Sequence, residues 1–121
     1  MSLSKTQQEF ALAIAQLINF SHAIGVQLTF GDAYRDPRLH GARGEKKGYG
    51  ARNSCHKLRL AVDFNVFVDG EFITDGEHEK YKMLGEEWEM MHPLARWGGR
   101  FSKGKSAGDA NHFSFEYNGF K

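Results

Sequence analysis

The sequence predicts an α+β domain with a small, mainly antiparallel sheet and two principal helices. Three observations carry this. Residues 4–24 and 77–91 place apolar side chains at helical spacing. Several shorter runs alternate apolar and polar residues at strand spacing. Two of those runs flank Asp69-Gly70, a strong two-residue hairpin turn. Strands outnumber helices and one connection is a hairpin, so the sheet is not the parallel kind that alternating strand–helix units build.

Each element has its own signal. Ser4 with Gln7 fits a capping box for the first helix. Phe10, Ile14, Leu17 and Ile18 form its core-facing stripe, and Gly25 is a C-terminal stop. "VQLTF", 26–30, alternates and reads as a strand. Residues 36–53 carry Gly, Pro and charge without a period and read mostly as loop. "LAVDFNVFVDGEFI" reads as the hairpin, with Val62, Phe64, Val66 and Val68 facing the core and Asp63, Asn65 and Phe67 facing away. Tyr81, Leu84, Trp88 and Met91 mark the buried stripe of the second helix, which Pro93 ends. "RWGGRFSKGKSAGDAN" reads as loop and "HFSFEY" as the closing strand.

Composition bounds the function. A chain of 121 residues with 40% hydrophobic and 13% aromatic residues suits one domain, 1–121, with a real core. A formal net charge of +1 supplies no general field for nucleic acid or membrane. One Cys excludes an internal disulfide. "MSLSKTQQEF" lacks the basic, apolar and small-residue pattern of a signal peptide, and no apolar run is long enough to span a bilayer. The expectation is a monomer without membrane insertion that stays in the cytosol until something else exports it.

The stretch "SCHKLRLAVDFN", 54–65, is out of place at the start of a buried strand. It carries His56 and Asp63, which point to opposite faces if the whole stretch is extended. A turn around 57–60 would let them meet. His112 opens the last strand, and Asp109 precedes it by three. Two His and one Asp, each at the start of a strand, make a three-ligand zinc set that leaves a fourth position for water. Asp109 would stand beside that water as general base. Cys55 points away from His56 on an extended chain and is a poor fourth ligand, although a Cys–His nucleophilic pair is another arrangement of the same residues. His22, His40, His78 and His92 lack such context and read as surface or packing residues. Asp69 and Asp75 read as turn residues.

"SCHKLRLAVDFN" resembles the Ser-x-His, then Ala-x-Asp, signature of the zinc D-alanyl-D-alanine and L-alanyl-D-glutamate peptidases. "RWGGRFSKGKSAGDANHFSFE" resembles their second signature, Trp-Gly-Gly followed by an acid three residues before His. "GDAYRD" resembles the segment that supplies their active-site arginine. The matches fall in the family's order, from about residue 28 to 116. The resemblance implies the hedgehog/D-Ala-D-Ala peptidase type of fold, with His56, Asp63 and His112 as Zn2+ ligands. It implies Asp109 as general base, where much of the family has Glu. It also implies Arg35 as the group that binds substrate and steadies the developing oxyanion, and Ser54 as a residue lining the substrate cleft. The chain departs from the pattern at Arg59, where many members have Gly; a non-Gly residue disfavours a left-handed turn there.

A bare catalytic domain with no export signal and no wall-binding module resembles phage endolysins. Those accumulate in the host cytoplasm and reach the wall only when a separate pore forms. The resemblance therefore implies hydrolysis of the L-alanyl-D-glutamate bond of peptidoglycan stem peptides during host lysis. Release of terminal D-Ala by a carboxypeptidase or dipeptidase is the alternative. Two rivals differ in kind. A zinc-holding binding module needs neither Asp109 nor Arg35. A nuclease would use the basic residues between 35 and 59, but near-neutral total charge and the lack of an interleaved aromatic platform weigh against nucleic acid as a partner.

Overall fold

A computed structural model describes residues 2–34, 54–101 and 109–120. Helix α1 spans Leu3–Ala23. Its cap is Ser2 rather than Ser4: the Ser2 hydroxyl accepts the Lys5 N–H at 3.1 Å. Gln7, expected in the capping box, instead reaches across the fold and donates to the Leu58 carbonyl at 2.7 Å. Phe10, Ala13 and Leu17 are buried, with Ile14 and Ile18 packed at the margin. Gly25, at φ +78°, ends the helix. A side chain there would carry the steric cost of the left-handed region.

Strand β1 is Gln27–Phe30 and β2 is Ala61–Val68. Asp69 and Gly70, both at positive φ, turn β2 into β3, Glu71–Ile73. Positive φ at both central residues is the turn geometry that matches strand twist. Helix α2 runs over Glu79–Met91, two residues later than the sequence suggests, because the His78 imidazole caps it by accepting the Lys80 N–H. The stretch read as loop from Arg96 instead takes in most of β4, Ala95–Trp97, and a single 3-10 turn, Gly98–Arg100. Strand β5 is His112–Phe115.

All the strand pairings are antiparallel, in the order β1-β2-β5-β4, with β3 also on β2. The backbone of Asp63 bonds to Gly31 and Asp32 on the β1 side, whereas the Phe64 N–H donates to Asn111. Successive peptide groups of a strand point to opposite edges. So β1 lies along one edge of β2, and β5 and then β3 lie along the other. One face of this sheet carries Val62, Phe64, Val66, Phe113 and Phe115, all buried. Phe10 of α1 and Trp88 of α2 meet that face edge-on, with ring centroids 5.2 Å from Phe115 and 6.2 Å from Phe113 respectively. The molecule is thus α+β, with two helices on one side of a small antiparallel sheet.

Candidate metal centre

The opposite face of the sheet carries Asp63, Asn65, His112 and Ser114. Register explains the first convergence: Asp63 pairs directly with His112 across β2 and β5, so the two side chains rise from the same face. His56 reaches them by another route. It is not at the start of a strand but on a 3-10 helix, Cys55–Leu58. That helix is closed at its C-terminus by Arg59, at φ 55° and ψ 36°. Arg59 takes the left-handed conformation despite its Cβ. Its guanidinium lies 4.1 Å from the centre of the Tyr34 ring, a cation–π contact that offsets part of the cost. The reversal at 55–59 frees His56 from the alternation of an extended chain and turns its ring back over β5.

The result is a tight triangle. His56 Nε2 lies 3.2 Å from Asp63 Oδ1, His112 Nδ1 lies 3.3 Å from the same oxygen, and the two nitrogens are 3.2 Å apart. Among the described residues this is the group of His, Cys, Asp and Glu whose ligand atoms converge closely enough to hold a metal ion. A tetrahedron with ligands about 2.0–2.1 Å from its centre has edges of about 3.3 Å. Hydrogen bonds alone do not satisfy all three edges. If both nitrogens carry protons, the two N–H groups oppose each other; if either does not, its lone pair faces a carboxylate lone pair or an equally bare nitrogen. A cation at the centre satisfies all three lone pairs at once. The residues therefore fit a metal ion.

His56 is fully buried and His112 is 6% exposed. The outer ring nitrogens, His56 Nδ1 and His112 Nε2, are buried without a hydrogen-bond partner. Burial pushes the Asp63 carboxyl up, but hydrogen bonds from His112 and His56 outweigh it and hold the group at about 2. Asp63 is therefore ionised at neutral pH and ready to act as an anionic ligand.

Neighbouring residues brace the triangle. Ser54 accepts the His56 N–H at 3.2 Å and is buried as the cap of the 3-10 helix. Cys55 donates to the Phe115 carbonyl at 3.0 Å, away from the ligand atoms. Burial, and then the charge of Glu116, push its thiol up to about 12, which does not suit a nucleophile. Gly31 donates to Asp63 O and Asp63 N–H donates to Asp32 O, both at 2.7 Å. The chain leading to position 35 is thus tied to the ligand strand. Arg35 and the stretch 36–53, read from the sequence as mostly loop, lie outside the described residues, as do residues 102–108.

Asp109 is exposed and sits in the turn before β5, where its carbonyl accepts the His112 N–H at 2.9 Å. Gly98 packs against this turn so closely that a Cβ would collide with the Asp109 carbonyl oxygen and stand 2.7 Å from His112 Cβ. The Trp97 indole donates to Ala110 O at 2.7 Å and braces the same turn from the core. Sequence reading missed these supports, although the Trp-Gly-Gly run was their visible trace. His92 is a packing residue, stacked on Phe115 at 4.3 Å and paired with Glu9. Among the described residues no helix is long and apolar enough to cross a membrane. No protein-family model matches this chain, and no curated protein matches it.

Proposed function

We propose that the protein is a zinc-dependent peptidase that hydrolyses the L-alanyl-D-glutamate bond of peptidoglycan stem peptides, in the manner of a phage endolysin. The observation that carries this reading is the triangle of His56, Asp63 and His112. Two imidazoles and one carboxylate form an open three-ligand set of the catalytic type, and they are the residues that the two peptidase-like motifs single out. Zinc held there supplies a Lewis acid that lowers the pKa of water toward about 7.

The remaining roles belong to the chain itself. Asp109, on the turn that delivers His112, takes a proton from the attacking water and returns it to the leaving amine. Arg35, which follows the segment anchored to Asp63, pairs with the substrate carboxylate through its planar fork and opposes the charge developing on the carbonyl oxygen. Ser54 holds the His56 turn by accepting the His56 N–H. The enzyme waits in the host cytoplasm and meets the wall once the membrane is breached.

Mass spectrometry of digested wall fragments tests the reading. New peptides beginning with D-Glu, with L-Ala left on the glycan, are expected. Free D-Ala with the L-Ala–D-Glu bond intact would assign the chain to terminal D-Ala release instead. Cleavage of DNA with an untouched wall would sink both.

A further inference from the structure

A cavity of about 300 Å³ is lined by Asn65, Asn111, Thr74, Phe72 and Tyr81 among others; none of the triangle residues lines it, but Asn111 adjoins His112 and Asn65 follows Asp63 by two. It lies where the β2 edge changes partners. The Phe64 N–H is taken by Asn111, and from Val66 onward the edge pairs with β3. Asn65 rises from the same face as Asp63, two residues further on, so it stands about 7 Å along the strand from that ligand. Asn111 immediately precedes His112. The described lining contains no charged side chain. Among the described residues neither the Asn65 nor the Asn111 carboxamide has a side-chain hydrogen bond. The Tyr81 hydroxyl, by contrast, is committed to the Ile73 carbonyl at 3.2 Å and fixes one wall. Phe72 is half exposed and stacked on Phe67, which offers an apolar platform at the rim.

We infer that this cavity binds the glycan-side portion of the substrate, the uncharged lactyl and N-acetyl amide groups that precede L-Ala. This rests on the peptidase reading above. The two sides of the scissile bond differ in charge. On the carboxyl side D-Glu brings a carboxylate, which two neutral carboxamides would leave without a counter-ion. On the amino side the L-Ala nitrogen is acylated and the sugar carries an N-acetyl group. These are neutral amides, each with one donor and one acceptor, and an Asn side chain offers both complements. Length agrees as well. An extended residue covers about 3.3–3.6 Å, so one span from the scissile carbonyl reaches the lactyl carbonyl and about 7 Å reaches the ether link to the sugar.

The test is NMR of isotopically labelled, zinc-loaded protein carrying Asp109→Ala, which keeps zinc but turns over slowly, titrated with N-acetylmuramoyl-L-alanyl-D-isoglutamine. The side-chain NH2 signals of Asn65 and Asn111 are expected to shift on binding. The Asn65→Ala/Asn111→Ala double variant is expected to bind at least about tenfold more weakly while retaining its zinc. Unmoved amide signals, or equal affinity in the double variant, overturn the subsite. If the parent protein with Asp109 intact still digests peptidoglycan, the peptidase reading stands without it. If neither binding nor digestion occurs, both fall.

Discussion

Under the proposed function, His56 holds a metal and Asp109 uses it, so the two residues give separable tests. His56 is fully buried and supplies one corner of the triangle, so His56→Ala should abolish both metal binding and activity. Asp109 is exposed and lies outside the triangle. Asp109→Ala should keep a full equivalent of zinc by elemental analysis, while turnover falls roughly 10²–10⁴-fold, the usual size of a general-base contribution. Unchanged turnover would remove Asp109 from the chemistry. Glu116 is a poor substitute, since it lies about 13 Å further along the strand direction and faces Arg96. Cys55 makes a second residue-scale prediction. Its thiol is raised to about 12 by burial and by Glu116, so the folded chain keeps it neutral. A raised thiol pKa contributes stability that is complete below the ordinary value of 9.0 and is lost as pH climbs toward about 12. Alkylating reagents at pH 8 should therefore label Cys55 only as fast as the protein unfolds. Rapid labelling of the native protein would revive a nucleophilic role.

At the scale of elements, two short reversals deliver the ligands, and each depends on one backbone position. Arg59 holds a left-handed conformation at the end of the 3-10 helix. Arg59→Gly relieves a cost of about 1–2 kcal/mol but forfeits a cation–π contact of about 0.5–1 kcal/mol and loosens the unfolded chain. Its stability should stay within about 1 kcal/mol of the parent. Arg59→Val places a β-branched residue there and should cost about 1–3 kcal/mol in denaturant unfolding. A neutral Val variant would mean that the left-handed turn is not kept. Gly98 governs the other reversal. Gly98→Ala forces a methyl into the Asp109–His112 turn and should displace His112 from the triangle. A chelator competition should read at least about tenfold weaker zinc binding, with the helical content kept.

For the whole molecule, the ligands come from three separate elements: the 55–58 turn, β2 and β5. An unfolded chain does not hold them together, so metal binding at this candidate site would be linked to folding. Free zinc at about a hundred times its dissociation constant should add about 2.7 kcal/mol of stability. For a domain of this size that raises Tm by roughly 10 °C. A chelator should reverse the shift, and His56→Ala should show none. A parent Tm indifferent to both zinc and chelator would argue against the site.

Read alone, the sequence determined the periodic elements: two amphipathic helices, the Asp69-Gly70 hairpin and the closing strand. Local spacing and turn chemistry suffice for those. It also marked His56, Asp63, His112 and Asp109, through the side-chain types and motif spacing around them. Convergence was a tertiary decision. Seven residues along an extended chain would set His56 and Asp63 on opposite faces, and only the turn at 55–59, closed by a strained Arg59, brings them together. His112 faces Asp63 because β5 docks in one register; a slip of one residue would have turned it to the helix side. Strand β4 escaped notice for the same reason. Three residues, Ala95–Trp97, have too little local preference to declare a strand, and they become one by pairing with β5 beneath α2. The Gln7 bond to Leu58 was likewise out of reach of local spacing, since its partner lies far along the chain. Pattern names the elements because it is local, whereas register and close approach depend on partners far along the chain.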